Sequence, residues 1–557
     1  MSAGPAVRCA VRAGAYYDSI VLMQLQRALA ALPGVLDAGV VMATPANRDL
    51  LAASGLLPGE EVVTGPDDLL IAVQAESEAA AGEALARVDS LLAVRRAGAA
   101  GQEFRPRSLA SAFKQLPEAR WVLVSVPGRY AAAVAEEALD LGRNVFLYRD
   151  NVARSDEVAL KKKARDRGLL VLGPDCGTAI VGGTGLGFAN RTKPGRIGLI
   201  GASGTGLQAV VSHLHARGAG ISQAIGTGGR DLSAEVGGIT AAQALDLLVR
   251  DPETEVIVLI SKPPAPEVAR RLIALAHAAG KRTVVYFPGA PLPATRLGNV
   301  AFTSSLEKAA EDALLFLAAP RPAPLAASID FARGQRFLRG LFSGGTLALE
   351  TLRGLSPLLA PRGHAILDLG ADEFTVGRLH PMIDFDLRLR RLRQEAADPE
   401  VALILLDVVL GDGAHADPAG ELGPVIKRVK AEAQAAGRIL EVAVLVVGTD
   451  QDPQDANLQT ATLKKAGAWV CRTVTDLLDY TVQRLGEIRG KEVPALEGRP
   501  VPLEALRGPL AAVNVGLESF YDSLIAQGAR AVHVEWKPPA GGNEKMAGIL
   551  ARMKRSR

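Results

Sequence analysis

Two stretches of the chain carry the same landmarks in the same order, and this duplication restricts the fold more than any other feature. In the first, the apolar run Arg196–Ile200 passes into Gly201-Ala202-Ser203-Gly204-Thr205-Gly206 and a helix reaching about His215. Ile221–Ile225 then ends in Gly226-Thr227-Gly228-Gly229, and helix Ala241–Val249 leads to Asp251-Pro252-Glu253-Thr254-Glu255 and the run Val256–Ile260. Helix Pro266–Ala279 and strand Arg282–Phe287 follow. In the second, Leu341-Phe342-Ser343-Gly344-Gly345-Thr346-Leu347 enters a helix, Ile366–Leu369 ends in Gly370, and Ala397-Asp398-Pro399-Glu400-Val401 precedes the run Ala402–Leu406. Gly411-Asp412-Gly413 is read as opening the next helix, and Arg438–Val446 and Ala468–Arg472 supply later strands. Apolar runs without alternation are strands buried on both faces, so the spacing predicts two flavodoxin-like modules in tandem.

The remaining stretches divide around this pair. Residues 1–100 alternate short strands and helices and are expected to form a small α+β N-terminal module. Residues 108–192 read as a half-Rossmann domain of the doubly wound nucleotide type: strand Trp121–Val126, helix Tyr130–Leu141, strand Asn144–Tyr148, helix Asp156–Arg167, strand Leu169–Leu172. The modules themselves are placed at 193–325 and 335–490. Arg95–Arg107 and Glu492–Gly508 read as linkers, and 505–557 as a βαβ segment that docks onto the main body or a partner subunit, because so short a piece cannot cover both faces of a strand pair. The fold class is α/β.

Composition excludes several functions. Lys and Arg number 63 against 60 Asp and Glu, a net +3, with no basic run to track a phosphate backbone, so no nucleic-acid partner is expected. Three cysteines, Cys9, Cys176 and Cys471, are too few for a disulfide framework and fit a reducing cytoplasm. The apolar stretch Val401–Leu410 is broken by an Asp, so no membrane span is expected, and Met1–Ala10 lacks the pattern of a signal peptide.

Turns at strand ends carry the candidate chemistry. A strand that passes into a helix through small residues leaves amide donors unpaired at the positive end of the helix dipole, where anions bind. Ser203, Gly204, Thr205 and Gly206 fit this best; Gly228 and Gly229, then Gly344, Gly345 and Thr346, then Gly411, Asp412 and Gly413 resemble them. The structural alternative for each is a tight turn, with Ser203 a plain cap. No Walker loop is present, since no Gly-Lys-Ser/Thr follows. His415, read as lying just inside a helix N-terminus at the carboxyl end of a strand, is the candidate catalytic histidine, able to donate to a phosphate or carry a proton. Cys176, in Gly173-Pro174-Asp175-Cys176-Gly177, reads as a packed thiol more readily than a nucleophile. No Cys/His cluster has zinc spacing, so no metal is expected.

At these residues the chain resembles the alpha subunit of succinyl-CoA synthetase from about Trp121 to Phe316. Gly173-Pro174-Asp175-Cys176 is similar to that family's Gly-Pro-Asn-Cys, and Lys193–Ile200 with Ser203-Gly204-Thr205 is similar to its strand and phosphate-facing helix. The resemblance implies that 108–192 is a CoA-binding-like half-Rossmann domain, with a CoA- or nucleotide-like pocket near Pro127, Asn151, Pro174 and Cys176. The second module resembles the ligase half of the beta subunit, which implies two helix tips, at Ser203–Gly206 and Gly411–Gly413, aimed at one phosphate. Where the synthetases carry Gly-His-Ala-Gly with a phosphorylated histidine, this chain has Arg296-Leu297-Gly298-Asn299-Val300-Ala301. The ATP-grasp domain and the first Gly-rich CoA loop of the synthetases are also missing.

Over nearly its whole length the chain is similar to the FdrA family of acyl-CoA-synthetase-like proteins, through Ala15–Ser19, Met42–Asn47, Gly411–Pro418, Asn514–Glu518 and Trp536–Gly542. That resemblance implies a subunit of a carbamoyltransferase complex of allantoin catabolism, converting oxalurate and phosphate into oxamate and carbamoyl phosphate. It implies no tightly bound cofactor, phosphate or carbamoyl phosphate as ligand, further subunits, and a homo-oligomer. Two alternatives stand: an acyl-CoA synthetase that uses CoA and ATP, and a non-catalytic scaffold or regulatory subunit.

Overall fold

The computed structural model describes residues 5–13, 19–57, 64–65, 68–92, 105–290, 294–319, 326–359, 362–376, 378–449, 451–488 and 497–538. The marker residues Ala15–Asp18 and 539–542 and much of both expected linkers lie outside the described residues. The chain forms two compact units, Met1–Ala189 with Glu504–Arg557, and Asn190–Leu503.

The first unit begins with strands β1 (Ala6–Arg12), β2 (Val35–Met42) and β3 (Leu69–Ala75), paired antiparallel in the order β1-β3-β2. Every second residue of β3 faces one side. Leu69, Ile71 and Val73 pack under Leu22, Leu25 and Leu29 of helix Ser19–Ala30, while Leu70 and Ala72 meet Leu51 and Leu56 on the other face. Three parallel strands follow, β4 (Trp121–Val124), β5 (Asn144–Leu147) and β6 (Val171–Leu172), and then an antiparallel hairpin, β7 (Thr178–Val181) with β8 (Thr184–Gly187).

In the second unit the duplication is visible as topology. The first module has β9 (Pro194–Ala202), β10 (Ile221–Gly226), β11 (Val256–Ser261), β12 (Arg282–Tyr286), β13 (Arg296–Leu297) and β14 (Val300–Phe302). The second has β15 (Phe337–Phe342), β16 (Ala365–Asp368), β17 (Val401–Val409), β18 (Glu441–Val447) and β19 (Trp469–Cys471). The parallel orders β10-β9-β11-β12-β14 and β16-β15-β17-β18-β19 are the same flavodoxin-like order, 2-1-3-4-5 by position in each module; β13 adds one antiparallel edge strand to the first. In both, the order reverses between the first and third strands, the switch point where sheets of this class take their ligands. β17 is buried along nearly its whole length, as the unalternating apolar run predicted.

The C-terminal strands β20 (Ala511–Val515) and β21 (Arg530–Val534) return to the first unit. β20 pairs in parallel with β4, giving the order β21-β20-β4-β5-β6. The segment is therefore the missing half of a doubly wound sheet rather than a surface appendage. Trp121, almost fully buried, donates its indole N–H to the Ala505 carbonyl at 2.9 Å, and Val513 and Val515 join the same core as Val122 and Val124.

Candidate functional site

Turns after the parallel strands of the first unit touch in sequence along the carboxyl edge of its sheet. A Cβ on Gly128 would lie 2.4 Å from the Asp150 carbonyl oxygen and 2.6 Å from that of Asn151, and one on Gly173 would lie 2.2 Å from the Leu147 carbonyl. Only glycine permits this approach, and Gly173 also has φ +112°. Pro127, Asn151 and Pro174 thus occupy adjacent turns. The gap between β4 and β20 is bridged by Ser125, whose hydroxyl accepts from the Leu517 N–H at 2.7 Å and donates to the Val515 carbonyl at 3.3 Å. Arg149 donates to the Ser125 carbonyl at 3.0 Å and brings a cation to this edge.

Cys176 is buried, with its thiol 3.6 Å from the Thr178 carbonyl, and burial pushes its pKa from 9.0 up to about 12. A neutral, enclosed thiol is a poor nucleophile. Iodoacetamide at pH 8 is expected to leave Cys176 unmodified in the folded chain and to label it after denaturation, with peptide mass mapping as the readout. Because the unfolded thiol ionises from about pH 9 while the folded one holds its proton to about 12, stability from this group falls as pH rises through that window.

The first module's switch point has open donors. Ser203 caps helix Gly204–Ala216 by accepting from the Gly206 N–H at 3.2 Å, and the Leu207 N–H bonds the Ser203 carbonyl. The amides of Gly204 and Thr205 have no partner among the described residues. Leu207, Val210, Val211 and Leu214 anchor the helix in the core, so its tip is held by apolar packing and needs no anion to stay in place. Gly228 and Gly229 differ from the sequence reading: the helix that follows them begins only at Ile239, and its first amides, those of Thr240 and Ala241, bond the buried Asp231 carboxylate.

The second module's switch point holds a side-chain carboxylate of its own. Asp407, fully buried on β17, accepts from the Ser343 N–H at 2.7 Å, the Ser343 hydroxyl at 3.0 Å and the Gly344 N–H at 2.8 Å. Arg388, also buried, reaches the same carboxylate at 2.9 Å and the Asp407 carbonyl at 2.5 Å. A Cβ on Gly345 would lie 2.5 Å from an Asp368 carboxylate oxygen, so a second negative group borders this tip. Gly344 spends its amide on a carboxylate and Gly345 lies against a second one, while the amides of Gly345 and Thr346 have no partner among the described residues.

Gly411, Asp412 and Gly413 do not open a helix; they begin a loop, and the helix starts at Pro418. Proline has no N–H, the Ala419 N–H donates to Gln459 at 2.7 Å, and the Gly420 N–H donates to Asp417 at 2.9 Å, so this tip has no spare amide in its first three positions. The side chain of Gln454 clamps the loop, accepting from the Gly411 N–H and donating to the Gly411 and His415 carbonyls. His415 lies in the loop ahead of the helix rather than inside its N-terminus, because Asp417 and Pro418 start the helix; it is half-buried, its ring 5.1 Å from that of Phe385, and its Nδ1 accepts from the Asp417 N–H at 3.1 Å. That bond assigns the ring proton to Nε2 in the neutral form.

Arg296–Ala301, the stretch without histidine, forms the β13–β14 hairpin. Asn299 donates to the Ala276 and Lys281 carbonyls at 2.8 and 2.7 Å, and its oxygen lies 2.9 Å from His277 Nδ1. Every polar atom of this side chain is engaged in holding the hairpin. The residues missed from sequence are Asp407, Arg388, Gln454, Gln459 and Ser125; one signal was present, the acid interrupting the apolar run Val401–Leu410.

Three family models match the chain: "AllF, heavy metal-associated domain" over residues 3–106, "CoA binding domain" over 192–289, and "CoA-ligase" over 341–479. The CoA-binding match covers the first flavodoxin-like module. The Escherichia coli K12 protein YahF is 38% identical over 84% of this chain and 97% of its own length. The alpha 2 subunit of an ADP-forming succinate–CoA ligase from Archaeoglobus fulgidus is 30% identical over 25% of this chain and 49% of that one. Among solved structures, a dinucleotide-forming acetyl-coenzyme A synthetase 1 from Ca. Korarchaeum cryptofilum is 16% identical, covers 67% of this chain and 84% of that one, and has a TM-score of 0.30.

The residues of the N-terminal module do not fit the heavy metal in that model's description. Between residues 3 and 106 there is one cysteine, Cys9, and no histidine. The Cys9 thiol points to the Leu56 carbonyl at 3.7 Å, burial raises its pKa, and no group of three metal-ligating side chains occurs among the described residues. Competition with a chromophoric chelator is expected to leave copper(I) and zinc with the chelator; a Cys9-dependent equivalent of bound metal is the contrary result.

No helix among the described residues is long and apolar enough to cross a membrane. The chain is related to the CoA ligases through two of its modules and to YahF along most of its length, and it belongs to the FdrA family of acyl-CoA-synthetase-like proteins.

Proposed function

We propose that this chain is the phosphate-holding subunit of a cytoplasmic enzyme that makes or breaks an acyl phosphate, with carbamoyl transfer between an oxalurate-like ureido acid and phosphate as its reaction. The observation that carries this reading is the unpartnered amide pair of Gly204 and Thr205 at the first switch point. In the reaction a phosphate oxygen attacks the carbamoyl carbon, the bond from that carbon to the amide nitrogen breaks, and the departing nitrogen takes a proton. Amides fixed by a packed helix stabilise the charge that builds on the transferring group. The hairpin carries Asn299 where a stored-phosphate mechanism needs histidine, which favours direct transfer over an ATP- and CoA-dependent ligase route. His415, with its proton on Nε2, is assigned the proton transfer. Further subunits and a second copy of this chain complete the complex, and no tightly bound cofactor is required.

The test is a phosphate-dependent assay of the chain with its copurifying subunits on oxalurate, detecting carbamoyl phosphate. Formation of an acyl-CoA from acid, CoA and nucleotide in place of that product overturns the reading. His415→Ala in the assembled complex is expected to lose ~100-fold or more in turnover, as removal of a general acid does; unchanged kinetics remove the residue from the mechanism.

A further inference from the structure

The two modules can be compared residue by residue at their switch points. In the first, Ser261 of β11 pairs with Ala202, the residue before Ser203. In the second, the register Leu341 with Leu406 brings Asp407 opposite Phe342, the residue before Ser343. The same place thus holds a neutral hydroxyl in one copy and a carboxylate in the other. That carboxylate takes the Gly344 amide, the counterpart of the Gly204 amide, together with the Ser343 amide, the Ser343 hydroxyl and the Arg388 guanidinium, all within 3.0 Å. Arg388 is fully buried, and its Nε and Nη1 have no hydrogen-bond partner among the described residues, so this pocket of charge has donors to spare.

We propose that the second copy is a self-occupied anion seat: the Asp407 carboxylate stands where the first copy receives a phosphate-class anion, so each chain takes one such anion instead of two. The occupant of the second seat follows from its own geometry; only the count of one rests on the function proposed above. Duplication alone would give two equivalent seats. A covalently tethered carboxylate at a seat it fits is present at an effective concentration no free anion matches. Arg388 supplies the counter-charge that makes burial of the carboxylate tolerable. The second module then takes no anion of its own at its switch point, and Gln454 holds the loop that carries His415.

Chemical replacement tests this. Asp407→Ala removes one carboxylate and leaves Arg388 without its partner. Formate supplies the missing group as a free ion. The melting temperature of the variant full chain is expected to fall below that of the wild type, then to rise with formate more than with chloride at matched ionic strength. The wild type and the double variant Arg388→Met with Asp407→Leu are expected to lack this extra formate response. A folded Asp407→Ala chain, judged by circular dichroism, that responds to formate no more than the wild type overturns the proposal. Should that variant fail to fold, equilibrium dialysis of the wild-type chain with labelled inorganic phosphate decides: two equivalents per chain overturn the proposal, and one or none agrees with it. Binding of none would at the same time overturn the function proposed above while leaving the self-occupied seat intact.

Discussion

Ser261→Asp is expected to reduce phosphate-dependent turnover by about 100-fold or more, on the scale seen when fixed donors to a transition-state anion are lost. The substitution places in the first module the carboxylate that the second module already has. From the end of β11 it reaches the amides following Ala202, as Asp407 reaches those of Ser343 and Gly344. Its negative charge also repels the incoming phosphate, so the loss is expected first as a raised KM for phosphate. Ser261 is buried, and Ser261→Ala serves as the control for packing and is expected to keep activity within a few-fold. Steady-state kinetics across a phosphate series distinguish the two. A Ser261→Asp enzyme with the wild-type KM for phosphate would place the substrate elsewhere.

The second large effect concerns stability. Arg388→Met strands the Asp407 carboxylate in the core and is expected to cost ~3–5 kcal/mol, the penalty for removing one partner of a buried ion pair. Replacing both partners, Arg388→Met with Asp407→Leu, is expected to recover most of that loss, because two desolvated charges and the unpartnered Nε and Nη1 groups are removed together. Chemical denaturation of the four chains forms a double-mutant cycle, and additive effects would contradict a direct pair. The buried guanidinium has its pKa lowered by desolvation, with the Asp407 charge acting in the opposite direction.

The tandem architecture was legible because local signals agreed. Unalternating strands such as Val256–Ile260 and Ala402–Leu406, each preceded by an Asp-Pro-Glu turn, recur at matching places, and both sheets adopt the same strand order. The electrostatic difference between the copies was not legible. Whether Asp407 interrupts a strand or plugs a helix tip depends on its register against β15 and on Arg388 arriving from a helix some twenty residues earlier in the chain. The loop at Gly411 misled for a different reason. Its glycines resemble a helix opening, yet Asp417-Pro418 carries the stronger start signal, a capping acid followed by a proline at the first helical position. The partner of β4 was equally hidden, because parallel pairing with Ala511–Val515 leaves no local trace in either stretch.

That pairing sets an order of events during synthesis. β4 ends at Val124 and β20 begins at Ala511, so one strand of this sheet waits on the ribosome for a neighbour about 390 residues downstream. At ~5–20 residues per second the delay is roughly 20–80 s. Throughout it Trp121–Val124 has an unfilled flank, while Asn190–Leu503, contiguous in sequence, is free to finish folding. Newly made chains are therefore expected to pass through a stage in which the middle of the sequence can be folded while β4 still presents an unpaired edge open to mispairing.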